Sequence, residues 1–235
     1  MPTSYTQQND TIASREAMIP RDTIISRDAW RRLKIYQECL EAWQQKMNLV
    51  SASTLDRVWE RHFVDSLQLL HHLPPEAKTL ADLGSGAGFP GAVLAIARQG
   101  TLSVTLIEAD LKKCVFLENV SREIMIPHGP IASREAMIPF FIRRARIENL
   151  KEMPRQDVIT ARALAPLSLL LAYAAPLLKE DGICLFLKGK DADAEILEAQ
   201  KKWEFTLEIF PSLTDSKGKI LKLRALKLKG PVPHV

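Results

Sequence analysis

Apolar residues near the start of the chain recur at intervals of three and four. Trp30, Leu33, Tyr36, Leu40, Trp43 and Met47 form one stripe, and Leu55, Val58, Trp59, Phe63, Leu67 and Leu70 form a second. Both have the period of an amphipathic helix, so the pattern predicts helices across residues 27–73, stopped by Pro74 and Pro75. From residue 79 the pattern shortens to β-like runs that alternate with helical ones. Strands are expected at Thr79–Leu83, Ser103–Glu108, Phe140–Arg146, Asp157–Ala161, Gly182–Leu187, Glu204–Phe210 and Ile220–Lys227. Helices are expected at Gly91–Arg98, Leu111–Arg122, Leu167–Lys179 and Ala192–Lys202. This alternation predicts an α/β fold with a mainly parallel sheet covered on both faces. The last two strands have no helical pattern between them and are expected to be an antiparallel pair closing one edge. The expected division is an N-terminal segment over 1–26, a helical extension over 27–78 and a sheet domain over 79–235.

Composition narrows the class. With 46% apolar and 26% charged residues in 235 positions, the chain is not wholly disordered and is long enough to bury a full core. Cys39, Cys114 and Cys184 lie far apart in no metal or redox pattern, so neither a disulfide framework nor a zinc site is expected, and a reducing, cytoplasmic setting fits. Met1–Asp10 is polar, unlike a secretory leader. The longest uncharged run, Ala163–Leu178, has 16 residues and two prolines, short of the about 20 apolar residues of a membrane span. No membrane association is expected, and the chain is read as a monomer. SREAMIP at Ser14–Pro20 and Ser133–Pro139, with SREIMIP at Ser121–Pro127, does not tile the chain as a solenoid would. It reads instead as a local duplication, with an inserted loop over residues 128–139. The net charge of +4 is mild, but it is concentrated. Six basic residues and no acid lie between Lys217 and Lys229, and Arg143, Arg144 and Arg146 form a second cluster. These are either solvated faces or a surface for a polyanion.

The chemistry gathers at Leu80-Ala-Asp-Leu-Gly-Ser-Gly-Ala-Gly-Phe-Pro-Gly91, between a strand and a helix. Gly84, Gly86 and Gly88 give the spacing GxGxG. A dinucleotide fingerprint needs glycine where Phe89 stands, and a P-loop needs a following Gly-Lys-Ser/Thr. The loop therefore favours a nucleoside without pyrophosphate, with S-adenosylmethionine the obvious candidate; a plain βα turn is the alternative. Glu108, ending the next strand, stands where acids accept hydrogen bonds from ribose hydroxyls. Phe89 is placed to pack on a ligand, and Asp82 either meets the ligand's ammonium or ties down the loop. Arg162 follows an apolar strand, where a guanidinium needs a carboxylate partner or a ligand. Lys188 and Lys190, ending another strand, meet phosphates or are simply solvated. There is no nucleophile elbow, HExxH or metal-spaced set. Neither a catalytic side chain nor a metal is expected.

Asn48-Leu-Val-Ser51, Arg61-His-Phe-Val-Asp-Ser66, the Asp82–Gly91 loop, Arg146-Ile-Glu148, Ala161-Arg-Ala163 and Leu187-Lys-Gly-Lys190 follow one another in order. In these stretches the chain resembles the RsmG (GidB) family of bacterial 16S ribosomal RNA guanine N7-methyltransferases. The resemblance implies a class I S-adenosylmethionine-dependent methyltransferase fold, a Rossmann-like seven-stranded sheet with an N-terminal helical extension. It further implies S-adenosyl-L-methionine contacts at Gly84, Phe89, Ile147, Glu148 and Arg162, to which the loop and fold logic add Gly86 and Glu108. His62, Lys188 and Lys190 are candidates for contact with the RNA. The implied partner is 16S rRNA or a small ribosomal subunit during assembly. A methyltransferase acting on a small molecule or protein, and a non-enzymatic RNA-binding module, share much of this pattern.

Overall fold

The computed structural model describes residues 18–19, 24–126, 140–150 and 152–230. The expected inserted loop, 128–139, lies outside them, as does most of the 1–26 segment. Helix α1 is Arg27–Gln44. Ser26 caps it, its hydroxyl accepting from the Ala29 N–H at 3.1 Å. The helical stretch ends because the Gln44 side chain substitutes for the next turn: its Oε1 accepts from the Leu49 and Val50 N–H groups. Residues 52–72, here α2, are helical with a changing pitch: 3₁₀ over Ala52–Arg57, π over Trp59–Val64, α over Asp65–Leu67 and 3₁₀ over Gln68–His72.

Seven strands then form a single sheet: β1 (Thr79–Leu83), β2 (Ser103–Glu108), β3 (Phe141–Arg144), β4 (Gln156–Arg162), β5 (Leu178–Lys188), β6 (Trp203–Pro211) and β7 (Lys219–Leu228). Their spatial order is β3-β2-β1-β4-β5-β7-β6. The first five run parallel, and β7 is antiparallel to both β5 and β6. The connecting helices are α3 (Gly91–Ala97), α4 (Leu111–Met125), α5 (Leu167–Ala174) and α6 (Ala192–Lys202).

The expected helix over Leu167–Lys179 is shorter than the periodicity suggested. It gives way to a 3₁₀ turn at Ala175–Leu177, and β5 begins at Leu178, earlier than expected. Sheet pairing decides this: Leu178 lies in register beside Gln156, and the Lys179 ammonium reaches Asp157 at 2.6 Å.

Period-two alternation sends neighbouring strand residues into two cores. Leu80, Val104, Leu106, Val158 and Leu185 join α1, α2, α3 and α4 on one face. Ala81, Ile107, Ile159, Cys184 and Phe186 join α5 and α6 on the other. The helical extension thus shares a core with the sheet. On β4, Thr160 and Arg162 share the parity of Val158, which places them towards the extension.

Candidate functional site

In a doubly wound sheet, ligands collect at the carboxyl ends of the strands. There the structure has a cavity of about 430 Å³, lined among others by Gly84, Gly86, Glu108, Ile147, Glu148 and Tyr173. Gly84 and Gly86 hold φ of +64° and +58°, a region side chains disfavour. A Cβ on Gly84 would also come within 2.5 Å of Leu164. Glu108, 8% exposed, fixes the loop: one carboxylate oxygen accepts from the Gly86 N–H and the other from the Asp110 N–H, both at 2.8 Å. Each oxygen keeps a second lone pair for a hydroxyl. Ile107, Ala145, Ile147, Leu164 and Leu169 give the cavity apolar walls. The Tyr173 hydroxyl donates to Glu148 at 2.8 Å; the residue's own backbone N–H, then this hydroxyl, hold the Glu148 carboxyl below the usual range.

Of the two roles open to Asp82, the geometry shows the tie. Its carboxylate is fully buried, accepting from the Thr160 hydroxyl at 2.7 Å and from the Gly91 N–H at 3.1 Å. Burial pushes its pKa up to about 6, against the pull of those hydrogen bonds and of Arg162. The tie pins the start of α3 to β1.

Phe89 and Arg162 are not among the cavity's lining residues. Phe89 is buried, stacked on Tyr36 at 5.4 Å between ring centres, with Phe63 edge-on at 5.2 Å. The Arg162 guanidinium lies over the Phe89 ring, 5.1 Å from its centre. It donates to the Arg61 carbonyl at 3.1 Å, to Asp65 at 3.3 Å and to the His62 Nδ1 at 2.9 Å. Arginine can only donate, so His62 Nδ1 accepts and Nε2–H donates to the Thr54 hydroxyl at 2.9 Å. Burial, then Arg162 and Arg61, lower the His62 pKa to about 3, so the ring stays neutral. Asp65 also accepts from Thr214 at 2.7 Å. The π-helical turn of α2 is therefore the seat of Arg162, and through Arg61, which donates to the Thr214 carbonyl at 2.7 Å, it anchors the β6–β7 connection together with Asp65.

His62, one of three RNA candidates from the sequence, is 7% exposed with both ring nitrogens engaged. Lys188 is likewise occupied: its ammonium contacts Glu195 at 2.5 Å and donates to the Ala165 carbonyl at 2.9 Å. Glu195 accepts in addition from the Leu167 N–H at 2.7 Å. This cluster fixes the segment that forms the cavity wall at Ala163–Ala165. Lys190 is exposed. Sequence reasoning missed Lys113, Leu164, Leu169 and Tyr173 as cavity residues. The pair Leu169 and Tyr173 carried one signal, a four-residue spacing on one face of a helix that follows a strand end.

Among the described residues, no group of three or more His, Cys, Asp or Glu could hold a metal ion, and no helix is long and apolar enough to cross a membrane. The family model GidB, described as rRNA small subunit methyltransferase G, matches residues 29–223. The chain is 47% identical over 206 residues to the ribosomal RNA small subunit methyltransferase G of Gluconobacter oxydans, covering 87% of this chain and 98% of that protein. Its counterpart in Paramagnetospirillum magneticum is 43% identical, with 85% and 90% covered. The fold is similar to that of a ribosomal protein L11 methylase from Lactobacillus delbrueckii subsp. bulgaricus, at TM-score 0.52 and 15% identity over 69% of this chain and 77% of that one. A methyltransferase from Geobacter sulfurreducens superposes at TM-score 0.52 and 11% identity, covering 90% and 95%.

Proposed function

Because the chain belongs to the GidB family of rRNA small subunit methyltransferase G, we propose that it methylates nitrogen 7 of a guanine in 16S ribosomal RNA, with S-adenosylmethionine as donor. The observation that carries this reading is the cavity at the carboxyl ends of β1, β2 and β4, with the Gly84–Gly86 loop bonded to Glu108. An open positive-φ loop beside a carboxylate with free lone pairs suits a ribose, and the apolar walls at Ile107 and Ile147 suit a flat base.

When bound, the donor supplies a sulfonium methyl group: the guanine lone pair forms the new N–C bond as the S–C bond breaks, leaving a thioether and a cationic base. Guanine N7 carries no proton, so the attack needs no general base. The protein's contribution is then placement, and accurate placement of two reactants can supply several orders of magnitude in rate. Glu108 orients the ribose while holding the Gly86 amide. Ile147 and Glu148 border the base, with Tyr173 fixing the Glu148 carboxylate. Asp82, through Gly91, keeps the loop against β1. Arg162, locked by Asp65 and His62, sets Ala163 at the cavity's edge, where φ is +51°, a strained value for a side-chain-bearing residue. The helical extension, residues 27–78, acts as the brace of the methyltransferase domain, residues 79–235.

Transfer of radiolabelled methyl from S-adenosylmethionine tests the reading, using purified protein offered small ribosomal subunits from a strain lacking it. Label in the RNA is the expected result. Label in ribosomal protein, or none despite cofactor binding by calorimetry, would refute it in favour of another acceptor or a pure binding module.

A further inference from the structure

Half of the C-terminal basic run is engaged within the fold, and two more of its lysines stand opposite acids. Lys219 pairs with Asp193 at 2.6 Å and Arg224 with Glu208 at 3.2 Å. Cross-strand register sets Lys222 opposite Glu208 and Lys227 opposite Glu204. The Lys229 ammonium donates to the Gln200 carbonyl at 2.8 Å. A strand whose cations face a ladder of acids presents little field to a polyanion.

The second basic cluster is different. Parallel pairing sets Arg143 beside Ile107 and Arg144 beside Glu108, at the carboxyl end of the sheet. Lys112 and Lys113 open α4 just beyond Glu108. Lys113 and Arg146 line the cavity itself. These five cations make no ion pair among the described residues. The neighbouring acids are occupied otherwise: Glu108 with the Gly86 and Asp110 amides, Asp110 with the Lys112 and Lys113 amides, and Glu148 with Tyr173. These carboxylates keep their charge, but they are held by amide and hydroxyl donors and bridge none of the five cations, so five positive charges stand against three negative ones, with Lys112, Arg144 and Arg146 exposed.

We propose that this rim, the start of α4 with the end of β3, is the surface that holds the RNA phosphate backbone beside the cavity, and that β7 is not. The inference rests on the ribosomal RNA reading above. A row of guanidinium and ammonium groups next to the cofactor cavity fits phosphates on the strand that delivers the target base, since guanidinium forks bind phosphate oxygens in pairs.

The test is the salt dependence of binding to small ribosomal subunits from a strain lacking the protein. Each lost phosphate contact should flatten the slope of log affinity against log salt by about one. The double variant Lys112→Gln/Arg144→Gln, at two exposed positions on the face that α4 covers, should therefore lower the slope by about two, with S-adenosylmethionine affinity unchanged by calorimetry. Lys222→Gln/Lys227→Gln should leave the slope as in the wild type. Should the double variant fold poorly, Lys112→Gln and Arg144→Gln singly, both at exposed positions, should each lower it by about one. A wild-type slope in the rim variants, or an equal loss in the β7 variant, overturns the proposal while leaving the methyltransferase reading intact. A wild-type protein that binds S-adenosylmethionine but neither binds nor methylates the subunits overturns both. Retained slope with an affinity for acidic protein lost from the same variants would assign the rim to a protein partner instead.

Discussion

Arg162 joins residues from three stretches of chain, so its removal is expected to cost more than any surface lysine. Its side chain is 19% exposed and that of Asp65 14%. A pair so placed falls between exposed bridges, worth at most about 1 kcal/mol, and buried ones, whose breakage costs about 3–5 kcal/mol. Arg162→Ala should therefore lose about 1–3 kcal/mol of stability in denaturant melts, together with S-adenosylmethionine affinity through the displaced Ala163. Wild-type melting and wild-type affinity together would make the residue a solvated surface group. The neutrality of His62 adds a pH dependence. Its folded pKa of about 3 lies below the ordinary value of 6.5, so its contribution is complete above pH 6.5 and is lost as pH falls towards 3. Asp82, raised from 3.8 to about 6, acts in the opposite sense: its contribution is complete below pH 3.8 and is lost as pH rises through 6. The two are separated by comparing the wild type with His62→Asn. Between pH 6 and 4 the wild type should lose stability faster, by up to about 1.4 kcal/mol per pH unit; parallel curves would show that the ring titrates normally. At Gly84, φ of +64° and the nearness of Leu164 make Gly84→Ala costly, by about 1–2 kcal/mol from the backbone alone. Cofactor affinity in calorimetry should fall with it, and an alanine variant binding as tightly as the wild type would contradict the cradle. The glycines and Glu108 were legible because their chemistry is local. The orientation of Arg162 was legible in principle from its parity with Val158 and Thr160, but its partners lie about a hundred residues earlier and carry no local signal.

At the scale of elements, the helical extension does more than cover apolar surface. Tyr36 of α1 is fully buried, and its hydroxyl donates to the Ala87 carbonyl inside the glycine loop. A Cβ on Gly88 would lie 2.5 Å from that hydroxyl, so the loop and α1 meet at a distance only glycine permits. Tyr36→Phe keeps the stacking on Phe89 and removes one buried hydrogen bond, leaving the Ala87 carbonyl without its donor at about 1–3 kcal/mol. S-adenosylmethionine affinity should fall while the far-ultraviolet circular dichroism of the extension is unchanged; undiminished affinity would reduce the extension to packing alone. Strand positions were readable because period-two apolar runs and their intervening helices are strong patterns, and the antiparallel β6–β7 pair followed from a missing helix. Three features were not readable. The π turn at Trp59–Val64 has the same apolar spacing as an α-helix, and the Arg162 guanidinium that meets its Arg61 carbonyl is 101 residues away in sequence. The early start of β5 depends on Gln156 and Asp157 of β4, 22 residues earlier, a pairing that no local window contains. The placement of Lys222 and Lys227 opposite Glu208 and Glu204 required the strand register.

In the whole molecule, the sheet and the helical extension share one core, and the cavity opens at the carboxyl ends of the strands. On the proposed reading, the glycine loop braced by the extension holds the methyl donor, and the α4–β3 rim receives the RNA. No side chain needs to exchange a proton with guanine N7, so activity should follow geometry rather than the titration of a catalytic group. The measurement that tests this most directly is the amount of 7-methylguanosine in 16S ribosomal RNA, read by mass spectrometry of nuclease digests. RNA from a strain without the protein is compared with RNA from the same strain carrying the wild type or Gly84→Ala. One 7-methylguanosine should be lost on deletion, restored by the wild type and not by the variant. An unchanged level of 7-methylguanosine on deletion would contradict it.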